Sequence, residues 1–125
     1  MALYNFDKIP KREITMREFI STKIFDKRWA EMGLTDDDLR QLEAYLLKNI
    51  GAGDVVSGTG GTIKLRWTLP KTGKHGGIRV IYIDLIRTEH THFITCYPKS
   101  KQDTLTENEK AAIKELVKRI IQNER

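Results

Sequence analysis

The chain has 125 residues, a formal net charge of +5 and a pI near 9.4, with 31% charged and 39% hydrophobic residues. That length fits one domain, able to bury roughly two-thirds of its unfolded surface without covalent staples. The single cysteine, Cys96, excludes an intramolecular disulfide and a multi-cysteine zinc site, and no apolar run nears the roughly 20 residues of a bilayer span. The start, MALYNFDKIPKRE, mixes charge and hydrophobe too closely for a secretory signal, so a cytoplasmic protein with no membrane partner is expected. The charge is uneven: residues 50–105 carry eight Lys/Arg against four Asp/Glu. A basic balance is by itself a weak pointer to nucleic acid or acidic partners.

In chain order, residues 1–14 are charged, contain Pro10 and read as an N-terminal arm, and 15–125 as a single domain. Residues 15–21 read as a short edge strand. From Thr22 to Met32, Ile24, Phe25, Trp29 and Met32 recur at helical spacing, and Gly33 is a stop. A second helix starts at Thr35, with Asp38 three residues on in an acidic variant of the capping box. Asp36, Asp37 and Asp38 suit the positive end of its dipole. As a metal site the triplet is poor, because consecutive helical side chains diverge. Leu39, Leu42, Leu46 and Leu47 form its apolar stripe, and Gly51 and Gly53 close it.

Gly58-Thr-Gly-Gly61 lacks the Lys-Ser/Thr of a phosphate-binding P-loop and precedes a strand, so it reads as a turn. In residues 62–68, Ile63, Leu65 and Trp67 alternate with Lys64 and Arg66. A turn over 70–77 carries Lys71, Lys74 and His75. A strand over 78–83 puts Arg79 and Tyr82 on opposite faces. Strict alternation over 91–97 groups Phe93, Thr95 and Tyr97 against His92, Ile94 and Cys96. The last helix, 106–122, opens on a Thr106–Glu109 capping box and has a stripe of Ile113, Leu116, Val117, Ile120 and Ile121. The expected fold is α+β: a small antiparallel sheet of three to four strands, with two N-terminal helices and one C-terminal helix packed on one face.

The other face is then open, presenting Lys64, Arg66 and Arg79, with Lys71, Lys74 and His75 from the turn and Tyr97 and Lys99 at the last strand's end. Such a set suits a polyanion: Lys and Arg neutralise phosphates, Arg can fork onto one, and Tyr and His can stack on bases. It also suits RNA cleavage, where a base takes the ribose 2′-OH proton, cations stabilise the phosphorane and an acid protonates the leaving oxygen. An exposed run of Lys and Arg can equally be a solvated face. His75 can be a plain turn residue, His90 and His92 structural, and Cys96 a buried small hydrophobe without a base partner. No carboxylate or His/Cys grouping in the sequence suits a catalytic metal, so no cofactor and metal-independent chemistry are expected.

Gly33-Leu-Thr-Asp-Asp-Asp-Leu39, Gly53-Asp-Val-Val-Ser-Gly-Thr-Gly-Gly61, Lys64-Leu-Arg66, Gly73-Lys-His-Gly-Gly-Ile-Arg-Val-Ile-Tyr82, Tyr97-Pro-Lys99 and Leu105-Thr-Glu-Asn-Glu-Lys110 together resemble the RelE/HigB-like toxins of bacterial type II toxin–antitoxin systems, the HigB branch most. The resemblance spans roughly residues 17–121. It implies a microbial ribonuclease-like α+β fold and a ribosome-dependent endoribonuclease, an mRNA interferase cutting mRNA in the A site to block translation. It further implies a cognate antitoxin, a helix-turn-helix protein encoded next door, and operator DNA bound through the antitoxin complex. Carried over by position, the catalytic set is Lys64, Arg66, Lys74, Arg79 and Tyr97, and the substrate-binding set Lys71, His75 and Lys99. Arg66 and Arg79 would grip the scissile phosphate, Lys64 or Lys74 would stabilise developing charge, and Tyr97 would orient or stack on a nucleotide. Base and acid stay open among a lysine, a tyrosine and His75. A ParE-like gyrase inhibitor or a non-catalytic binding module on the same fold is the alternative.

Overall fold

A computed structural model describes residues 17–68 and 77–124. The proposed arm at 1–14 and the turn residues Lys71, Lys74 and His75 lie outside the described residues, as do the first two positions of the expected strand at 15–21. The elements run β1 (Glu18–Ser21), α1 (Lys23–Glu31), α2 (Asp36–Lys48), β2 (Asp54–Val55), β3 (Ile63–Trp67), β4 (Ile78–Leu85), β5 (His90–Pro98) and α3 (Glu107–Asn123). Each helix begins as its cap residue dictates. Thr22 accepts from the Phe25 N–H, and Thr35–Asp38 and Thr106–Glu109 form reciprocal capping boxes. Among the described residues no helix is long and apolar enough to cross a membrane.

The class is α+β as expected, but the sheet is larger and mixed. Its order is β1-β5-β4-β3-β2, five strands instead of three to four. The β3-β4-β5 meander is antiparallel, whereas β1 joins the β5 edge in parallel. A parallel neighbour requires a crossover, and here α1, α2 and three strands separate β1 from its partner. The added strand, β2, is only two residues long. It pairs with β3 across the Gly58-Thr-Gly-Gly61 turn, where the Thr59 hydroxyl donates to the Val56 carbonyl at 2.6 Å and lies 2.6 Å from the Thr62 hydroxyl. The glycine cluster is thus a hairpin turn.

The helices do not share one face. On one side, Phe25 and Trp29 of α1 and Leu42 and Leu46 of α2 pack on Leu65, Ile78, Val80, Tyr82, Phe93 and Cys96. Phe25 stacks between Trp29 and Phe93, with ring centroids 5.4 and 4.9 Å away. On the other side, Ile113 and Val117 of α3, with Leu105, cover Ile81, Ile83, Ile94 and Tyr97. The expectation of a fully open second face therefore fails. The reason is visible in β4, whose Ile78, Val80, Ile81, Tyr82 and Ile83 are apolar on both faces, the pattern of a strand buried on both sides.

Strict alternation also fails in β5. The register with β4 runs Tyr82↔Phe93 and then Ile81↔Thr95, so Ile94 is an extra residue, a β-bulge. The bulge moves Cys96 to the face of Phe93 and leaves Thr95 and Tyr97 on the α3 face beside Ile94. Cys96 is fully buried, its thiol pushed up to about 12, chiefly by that burial. It is a core residue and not a nucleophile.

Candidate active site

Strand pairing builds a row of functional side chains across the sheet. Arg66 on β3 lies opposite Arg79 on β4, and Arg79 lies opposite Tyr97 on β5. Lys64 sits two residues from Arg66 on the same face, beside Ile81 and Thr95. The alternation that puts Ile63, Leu65 and Trp67 against α1 and α2 thus also turns Lys64 and Arg66 the other way. Gly77 starts β4 against the end of β3. Its φ is +65°, and a Cβ there would sit 2.3 Å from the Trp67 carbonyl oxygen. Only glycine tolerates both, so Gly77 fixes where Arg79 enters the sheet.

The row differs in depth from end to end. Arg66 is exposed and Lys64 half-buried, whereas Arg79 is only 4% exposed and Tyr97 3%. Lys99 follows β5 and is exposed, its backbone N–H donating to the Gly77 carbonyl at 3.1 Å. The structure therefore brings Lys64, Arg66, Arg79, Tyr97 and Lys99 to one end of the sheet, beside the first half of α3.

Sequence reasoning missed Asp103, which sits over this row. Arg79 donates to one carboxylate oxygen of Asp103 through Nε at 3.2 Å and meets it through Nη2 at 2.9 Å. The Asp103 carbonyl accepts from Lys64 Nζ at 3.3 Å and from the Tyr97 hydroxyl at 3.5 Å. The hydrogen bond from Arg79 holds the Asp103 carboxyl below the usual carboxylate range, helped by the charges of Arg79, Lys64 and Lys99. Two guanidinium-bearing residues opposite one another repel, so the row favours an anion between its strands. Asp103 now supplies that anion, and its oxygen occupies a place that suits a phosphate oxygen. The signal in the sequence was weak: one acidic residue in a basic stretch after the last strand.

Tyr97 is set up as a donor. Burial raises its phenol above the ordinary tyrosine range, against a lowering influence from Arg79, so it stays protonated at neutral pH. Its ring packs with Ile81, Ile94, Leu105 and Val117. The expected base-stacking role is therefore not open to it, and the hydroxyl edge is the part that meets the site.

At the far end of β5 a second grouping was also missed. His90, His92 and Glu124 place their ligand-type atoms within 4.8 Å of one another. The sequence offered no sign of this, because 32 residues separate His92 from Glu124. Five to seven strand residues, roughly 16–23 Å, separate the two histidines from Tyr97.

A family model described as the RelE toxin of the RelE/RelB toxin–antitoxin system matches residues 16–125. The match includes every residue of the Arg66–Arg79–Tyr97 row as well as Lys64, Lys99 and Asp103.

Proposed function

Because the chain belongs to the RelE toxin family, the toxins of toxin–antitoxin pairs, we propose that it is an mRNA endonuclease that cuts in the ribosomal A site and blocks translation. A cognate antitoxin is the partner the family implies. In this reading the antitoxin is a helix-turn-helix protein from the adjacent reading frame, the complex binds operator DNA, and the toxin acts in the cytoplasm. The observation that carries the proposal is the buried Arg79 between Arg66 and Tyr97, held by a carboxylate that a phosphate can replace.

In the cleavage step Arg79 and Arg66 hold the scissile phosphate, and Lys64 offsets charge that develops on the phosphorane. The protonated Tyr97 hydroxyl donates to an oxygen of that phosphate. Lys99, with Lys71, Lys74 and His75, binds the flanking backbone and supplies candidates for the base that takes the 2′-OH proton and for the acid that gives one to the leaving 5′-oxygen.

Inducible expression followed by primer extension on a defined transcript tests this. Wild type should arrest growth and leave cuts in frame with codons, while Arg79→Ala should leave the transcript whole. Arg66→Ala, at an exposed position, should reduce cutting without affecting folding. Growth arrest with intact mRNA and a DNA-damage response would instead mark a gyrase-directed toxin and overturn the proposal.

A further inference from the structure

We propose that His90, His92 and Glu124 form a binding site for a divalent transition metal of the zinc class, one that ties the end of α3 to β5. The two histidines are i and i+2 on β5, so both rings leave the same face of the strand. Glu124 is the C-cap of α3 and reaches them from above. His90 Nδ1 lies 2.7 and 2.8 Å from the two Glu124 oxygens, and His92 Nε2 lies 3.0 Å from one of them. These atoms converge on one point from two elements far apart in sequence.

The donor set is two imidazoles and one carboxylate, which suits zinc, nickel, copper or cobalt better than magnesium or calcium. Zinc bonds of about 2.0–2.2 Å in tetrahedral array put neighbouring ligand atoms roughly 3.3 Å apart. Opening the His90–Glu124 contacts by about half an ångström and the His92–Glu124 contact by about 0.3 Å, with the two imidazole nitrogens, now within 4.8 Å, drawn to the same spacing, admits the ion. His90 has a second carboxylate behind it: Glu18 lies 3.8 Å from Nε2, on the ring nitrogen away from Glu124. Closed to hydrogen-bond distance, a carboxylate on the outer nitrogen orients a metal-bound histidine and makes it a better donor.

Charge gives an independent reason for a cation here. The last turn of α3 holds no basic side chain, and Glu124 adds a negative charge to the negative end of the helix dipole. Glu18 adds another beside His90. The Glu124 side chain is 14% exposed and His92 9%, so water spreads the charge of Glu124 less than that of the open Glu18. A cleft lined among the described residues by Arg87, Thr88, Ile121 and Glu124 reaches the Glu124 side of the site. The site is at the other end of β5 from the Arg79 row, so it has no part in holding the scissile phosphate and acts on the attachment of α3.

The test uses the full untagged chain, dialysed against chelator. Zinc ions should bind at about one per chain by calorimetry and raise Tm by several degrees, and cobalt ions should give the intense visible bands of tetrahedral coordination. Glu124→Gln and His92→Ala should each abolish the bands and the Tm rise, while His75→Ala should keep both. Glu124→Gln, at the helix end, guards against loss of folding in the His92 variant. Absence of bands and Tm rise in wild type, or a response that survives Glu124→Gln or disappears in His75→Ala, would overturn the assignment.

Discussion

Replacing Arg79 by lysine separates geometry from charge at the centre of the proposed site. Arg79 meets a single oxygen of Asp103 with both Nε and Nη2, at 3.2 and 2.9 Å. Lysine keeps the charge but loses the planar fork, and its flexible stem no longer fixes a phosphate oxygen between β3 and β5. Removing one pre-aligned donor to a developing oxyanion costs about 10²–10³ in rate. Arg79→Lys should therefore slow cleavage in a translating extract by about 10²-fold, or ~2.7 kcal/mol. Arg66 is exposed and acts more as a charge than as a fixed fork, so Arg66→Lys should slow cleavage by no more than about fivefold. Both variants should melt within about 3 °C of wild type. The readout is the rate at which the cut product appears in primer extension, with thermal unfolding alongside. Equal losses in the two lysine variants, or Arg79→Lys within fivefold of wild type, would refute the argument that fork geometry at Arg79 drives the chemistry.

Three further outcomes follow from the packing. Tyr82→Phe removes a buried hydroxyl that donates to the Ala52 carbonyl at 2.6 Å, leaving that acceptor short of a partner; urea unfolding should show a loss of about 1–3 kcal/mol. Gly77→Ala places a methyl 2.3 Å from the Trp67 carbonyl at φ +65°, and should destabilise by about 1–3 kcal/mol in the same assay and reduce cleavage by displacing Arg79. Cys96, with its thiol pushed up to about 12 and no exposed surface, should resist alkylation at mildly alkaline pH in the native state and react within minutes once denaturant is added; rapid alkylation of the folded protein would contradict the burial.

Local rules read much of this fold correctly from sequence. Thr35–Asp38 and Thr106–Glu109 each needed only a three-residue spacing, and both capping boxes form. The alternation of Lys64 and Arg66 with Ile63, Leu65 and Trp67 needed only a two-residue period and fixes which face carries the cations. What local rules could not see depends on partners distant in sequence. The bulge at Ile94 is defined only by the register with β4, and that one residue moves Cys96 to the opposite face from the expected one. The parallel placement of β1 depends on β5, some 70 residues away. Asp103 and Glu124 acquire their roles from Arg79 and from the two histidines, contacts that no periodicity announces. The covering of the second face by α3 was missed, although the run from Ile78 to Ile83, apolar on both sides, calls for two layers of cover.

The arrangement of Arg79 and Asp103 bears on how strongly so small a protein can hold RNA by itself. The guanidinium is nearly buried and faces another cation, Arg66, across the strand pair, so an anion beside it is favoured. Asp103 is such an anion in the free protein, and it also becomes a competitor that an incoming phosphate must displace. Binding is then an exchange of one anion for another, and its net driving force is small. Free RNA in solution gains little from such an exchange. A strand already threaded and held at high local concentration gains enough, because its loss of translational and rotational freedom has been met elsewhere. In the proposed function the ribosome supplies that holding. In that reading the Asp103 carboxylate that meets Arg79 in the free toxin also ties activity to a substrate presented in place, and Asp103→Asn should shift the balance toward free RNA.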